Sequence, residues 1–93
     1  MSTVIALPAV LDLRAAEPLK AQLLAVRGQE TALDASAVER LGGLCLQVLL
    51  SAIQTWRADG QTLAFVNVSE PMVSQWSAFG ASASDLAMQG EAA

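Results

Sequence analysis

The sequence predicts an α/β domain: a small mixed β-sheet of about four strands with three to four helices. Two observations carry this reading. Short β-branched runs alternate along the chain with stretches of helical spacing, and most of those stretches are bracketed by recognisable starts and stops. The 93 residues, 54% hydrophobic against 15% charged, suffice for one core and fall well short of two. One domain over residues 1–93 is expected, with 81–93 a loosely ordered tail.

Thr3 to Leu7, "TVIAL", is apolar and β-branched and stops at Pro8, and Val10 to Leu13 resumes it, giving a strand, a corner and a short second strand. From Arg14 to Val26 the spacing turns helical, with Leu19, Leu23 and Val26 on one stripe. Pro18 fits only a first turn, and Gly28 lies just past the end. "ETALDAS", Glu30 to Ser36, reads as a strand leading into a turn. Leu41 to Ala58 is helical again and closes on Asp59-Gly60. "TLAFVNV", Thr62 to Val68, has the continuous apolar character of a central strand buried on both faces. Ser69-Glu70-Pro71 opens a third helix, with Met72, Val73, Trp76 and Phe79 as its apolar stripe and Gly80 as its stop. Beyond it, Leu86 and Met88 are the residues able to dock, and no internal repeat is visible.

The second helix breaks its own pattern. At about 100° per residue, Gln47, Ser51, Gln54, Thr55 and Ala58 form a polar arc, with Cys45, Val48, Leu49, Ala52, Ile53 and Trp56 opposite as the core face. Leu44 projects inside the polar arc, and Leu50 lies on its other flank. Both are expected to be partly exposed. A partner would explain them: Gly42, Gly43, Leu44, Gln47, Leu50 and Ser51 then make an apolar contact patch with a polar rim. Scattered surface leucines, or a covering loop, are the plainer explanation. Gly42-Gly43 reads as a loop needing unusual φ angles, or as a place where a partner backbone comes close.

Five basic against nine acidic residues give a net charge of −4, so the counterion-release term that holds proteins on nucleic acid is weak. Neither nucleic acid nor an anionic membrane is an expected partner. No apolar run reaches the roughly 18 residues of a bilayer span, because Gln47, Ser51 and Gln54 interrupt the longest. The N-terminus lacks the basic start of a signal peptide, and a lone Cys45 has no internal disulfide partner. The reading is cytoplasmic, without membrane insertion.

"VIALPAVLDLRAAEPLKAQLL" followed by "LDASAVERLGGLCLQVLLSA" resembles the STAS domain, the module of bacterial anti-sigma-factor antagonists and of the cytoplasmic tails of sulphate transporters. In that family a strand of the form Leu-Asp-x-Ser-x-Val leads to a helix start written Asp-Ser-Ser-Gly-Leu. The likeness covers about Thr3 to Gly80, carried by Leu11-Asp12, by Leu33-Asp34-Ala35-Ser36-Ala37-Val38 and by the helix from Leu41. It implies a mixed sheet wrapped by helices and a role in binding proteins rather than turning over substrates. Aligned without gaps from Asp34, the family's Asp-Ser-Ser-Gly falls on Gly42, Gly43, Leu44 and Cys45. The resemblance implies that the serine phosphorylated in antagonists, by the anti-sigma factor acting as kinase, is Leu44 here, which has no hydroxyl.

The residues argue against catalysis. Without histidine there is no Ser-His-Asp or Cys-His arrangement, and one cysteine builds no zinc cluster. "LGGLCL" is no P-loop, since no Lys-Ser/Thr follows. Cys45 reads as a small core hydrophobe, Asp34 as a turn residue, Trp56 and Trp76 as packing. No enzyme, metal or cofactor is expected. Ser36 and Ser51 are the candidate phosphosites, against plain readings as a turn hydroxyl and a solvated helix position. The leading expectation is a bacterial signal-transduction module resembling an anti-sigma-factor antagonist. It binds an anti-sigma factor or other histidine-kinase-like protein through the start of helix two, without the serine switch. Alternatives are an adaptor of a chemotaxis pathway or of a lipid-transport ATPase subunit, a phospho-acceptor or ligand sensor using Ser36, Ser51 or Asp34, and a homodimer through the same leucines.

Overall fold

The computed structural model describes residues 3–81. Met1, Ser2 and the expected tail beyond Ala81, with Leu86 and Met88, lie outside the described residues. Eight elements follow in the order β1 (Thr3–Ala6), β2 (Val10–Leu11), α1 (Leu13–Ala25), β3 (Thr31–Asp34), β4 (Arg40–Leu41), α2 (Gly43–Ala58), β5 (Leu63–Val66) and α3 (Glu70–Ala78). The α/β class is as the sequence predicts. Its element order repeats where the sequence showed no repeat: strand, two-residue strand, helix occurs twice before β5.

β1, β3 and β5 form one sheet in that order, while β2 and β4 pair as a two-residue ribbon. Every described pairing is parallel, where the sequence reading expects a mixed sheet. The cause is the crossover: between successive sheet strands the chain runs through a helix and returns in the same direction. Ile5, Leu33 and Phe65 stand in register on the buried face of the sheet. The opposite face carries Val4, Ala32 and Ala64 in register, exposed or half-buried. β5 is thus an edge strand with Ala64 and Val66 half-buried, a correction to the doubly buried centre expected of it.

Three boundaries shift for local reasons. The second strand stops at Leu11 because Asp12 is an N-cap: its Oδ1 accepts the N–H groups of Arg14 and Ala15 at 3.0 and 3.2 Å. α1 therefore starts at Leu13, which puts Pro18 in its second turn and leaves the Arg14 carbonyl without its intrahelical donor. Asp12→Ala is expected to cost about 1 kcal/mol, a fall of roughly 4–8 °C in Tm by calorimetry.

Leu41 belongs to β4, not to the second helix, and its strand is held at the edge by a side chain. Gln75 of α3 accepts the Leu41 N–H at 2.6 Å and donates to the Glu39 carbonyl at 2.9 Å, which supplies the hydrogen bonds a third strand would have given. Ser69 caps α3 as expected, accepting the Met72 N–H and donating to the Val38 carbonyl. Met72 and Trp76 fill the core, but Val73 and Phe79 are exposed. In a helix of nine residues Val73 turns about 100° off the buried line. Phe79 is the residue that closes the helix, and its ring lies beside Gly43.

The buried residues form a cluster centred on Leu11, Leu33, Leu49, Phe65 and Trp76. Phe65 and Trp76 meet edge to face at 5.9 Å and 65°. Trp56 is buried and its indole N–H reaches the Gln29 carbonyl at 2.8 Å. No helix among the described residues is long and apolar enough to cross a membrane.

Candidate protein-binding surface

α1 and α2 run side by side in the same direction. At their starts the Cys45 thiol reaches the Asp12 carbonyl at 3.2 Å, and the Gly42 N–H donates to the Leu11 carbonyl at 2.7 Å. At their ends Arg27 meets Asp59 at 3.1 Å. Between these two ties the helices leave an open groove of about 340 Å³.

One wall is α2, where Leu44, Gln47, Ser51 and Thr55 stand at helical spacing. The other is α1 and its end, with Lys20, Leu24 and Arg27. Buried Leu23, Ala52 and Trp56 lie along the floor with half-buried Val48. Leu44 and Leu24 are the apolar lips, 47% and 58% exposed. Since burying a leucine fully is worth roughly 1.5–3 kcal/mol, each lip leaves something near half of that unrealised in the free chain.

The six residues singled out from the sequence are divided by this arrangement. Leu44, Gln47 and Ser51 share the groove wall. Leu50 is half-buried against the core and is not among the residues lining the groove. Gly43 is the first helical residue and points where the Phe79 ring stands, 3.7 Å from the place of a Cβ. Gly42 has an ordinary extended backbone, φ −91° and ψ 162°, so the unusual φ angle expected of the glycine pair is absent there. Its role is internal: a Cβ on Gly42 would stand 3.1 Å from the Leu11 carbonyl oxygen, closer than backbone tolerates without a shift.

Val48, expected in the core, is half-buried in the groove, and Leu46, on neither face in the wheel reading, is buried. The α1 wall is what sequence reasoning missed. Leu24 follows Leu23 directly and so sits about 100° off the buried stripe, the same kind of misplacement that drew attention to Leu44.

The electrostatics of the groove are uneven. The Arg27 guanidinium is held above its ordinary pKa by the hydrogen bond and charge of Asp59, so that cation is partnered. Lys20 makes no ion pair among the described residues. α2 begins without a side-chain cap and without an acidic residue in its first turn, and the nearby carboxylate that Cys45 feels there is Asp12, the cap of α1.

The remaining candidates lie elsewhere. Asp34 at the end of β3 accepts the Ser36 N–H at 3.0 Å, and this bond, with the side chains of Ser36 and Asn67, holds its carboxyl below the usual range. Ser36 itself is exposed in that turn. Asn67, with φ 52°, takes the left-handed conformation that asparagine tolerates. Cys45 is buried, and burial, then the charge of Asp12, pushes its thiol pKa up. Native chain is expected to react with a thiol reagent only as fast as it opens, and denatured chain at once, which absorbance after reagent addition measures. No group of three or more metal-ligating side chains occurs among the described residues.

Comparison with known proteins places the chain. No curated protein matches it. The family model described as "Mlab, STAS domain" matches residues 1–87. By that match over nearly its whole length, the chain belongs to the STAS domain family.

Proposed function

We infer that this STAS domain is a regulatory module without catalytic activity that binds a partner protein through the N-terminal half of α2. The observation that carries the reading is Leu44, an exposed apolar side chain at the second helical position, where the aligned family motif has its phosphorylated serine. A phosphate there would add about −1.5 to −2 charges to an apolar contact and break it, and leucine removes that possibility. Binding is then constitutive at this position. Gln47 and Ser51 supply the polar rim, with Gly42, Gly43 and Leu50 beside them.

A resemblance to anti-sigma-factor antagonists makes a histidine-kinase-like protein one partner class. A permanently available contact suits a standing adaptor better than a switched one. That favours the second reading, an adaptor for a transporter ATPase subunit. Pulldown of purified candidates of both classes, by wild-type chain and by Leu44→Asp, tests the site and chooses the class. Phosphate found by mass spectrometry on Ser36, Ser51 or Asp34 after incubation with the kinase candidate and ATP would instead support a phospho-acceptor.

A further inference from the structure

We propose that the groove between α1 and α2 seats an amphipathic helix of the partner protein, with an apolar ridge on the floor and carboxylates toward Lys20. This deepens the proposed function and rests on it, since Leu44 belongs to both surfaces.

Shape selects a helix. The groove runs beside two parallel helices from Leu44 to Thr55, eleven residue steps or about 16 Å at 1.5 Å per step, the reach of three helical turns. Its floor of Leu23, Ala52 and Trp56 between two leucine lips is the complement of an i, i+4, i+7 ridge. Charge selects the flank of that helix. The chain as a whole is acidic, at −4, yet the groove is lined by two of its five basic residues and by no carboxylate. Of the two, Arg27 is matched by Asp59, while Lys20 makes no ion pair among the described residues.

The other occupants fit less well. In a two-fold pair of identical chains the groove would face itself, concave against concave, with Lys20 brought toward Lys20. An anionic bilayer repels a chain of this charge. A small ligand needs convergent polar groups to fix it, and among the described residues no buried side-chain polar atom lacks a partner.

The test uses two synthetic helical peptides with the same leucine ridge, one flanked by glutamates and the other by lysines. They are titrated into ¹⁵N-labelled full chain, with circular dichroism to confirm folding of each variant. The glutamate peptide is expected to bind at least about tenfold tighter, with amide shifts along Leu24, Leu44, Val48 and Ser51. Lys20→Glu should reverse the preference and Leu24→Asp should weaken both peptides. Equal affinity for the two peptides, shifts confined to other faces, or a dimer of the free chain that Leu24→Asp dissociates would overturn the groove assignment. The pulldown separates the two levels. Partner binding lost in Leu44→Asp but kept in Leu24→Asp and Lys20→Glu overturns the groove alone, and binding kept in all three overturns the proposed function as well.

Discussion

Leu44→Asp is expected to weaken partner binding by at least about tenfold, roughly 1.4 kcal/mol, while the melting temperature stays within a few degrees of wild type. The two effects separate because of where the residue stands. Leu44 is 47% exposed in the free chain, so its removal takes little from the core. Aspartate at the second position of α2 also faces the positive end of an uncapped helix, which offsets part of any loss by about 0.3–1 kcal/mol. In the complex the same carboxylate would be carried into an apolar contact and stripped of water, an unfavourable step with no cation opposite it. Leu44→Met keeps volume and polarity and should bind nearly as wild type. Parallel pulldown and thermal melts check both halves, and equal binding by wild type and Leu44→Asp would remove α2 from the interface.

Trp76→Ala carries the opposite signature. Trp76 is fully buried, packs its ring edge to face with Phe65 and anchors α3 next to the Gln75 clamp on β4. Truncation of a buried tryptophan costs about 3–5 kcal/mol, and a domain of this length holds roughly 5–14 kcal/mol in total. The variant is therefore expected to lose about a fifth or more of its stability, with its urea midpoint falling accordingly, and to lose partner binding only to the extent that it unfolds. Trp76→Phe should recover a large part, since the ring contact with Phe65 survives. A midpoint unchanged in Trp76→Ala would contradict the packing described for α3.

Much of this architecture is written in local signals. β1, β3, the three helices and the Ser69 cap follow from β-branched runs, helical spacing and turn residues that agree with one another. What the chain conceals are features made by partners distant in sequence. β4 is two residues long and has no pattern of its own; it exists because β2 lies beside it and Gln75 reaches it from 34 residues away. β5 reads as a doubly buried strand because Leu63–Val66 is apolar throughout, and apolarity alone does not tell a central strand from an edge. The strand directions were hidden for the same reason, being set by crossovers rather than by any residue.

The candidate site divides the same way. Leu44, Gln47 and Ser51 are legible because a helical wheel measures one helix against itself. The facing wall, Lys20 and Leu24, belongs to another helix, and only tertiary packing brings it opposite. Gly42 shows how a correct suspicion can point at the wrong cause: the residue matters for a close approach, but the approach is to the chain's own Leu11 carbonyl.

The paired two-residue strands have a kinetic consequence. Because Leu11 and Leu41 are locked side by side immediately before the two helices, and Arg27 and Asp59 join their far ends, the space between is bounded like a slot clamped at both edges. Little internal rearrangement should precede encounter, so association ought to proceed in a single phase whose rate scales linearly with ligand concentration. Stopped-flow traces that plateau at high concentration would reveal a gate in place of a fixed opening.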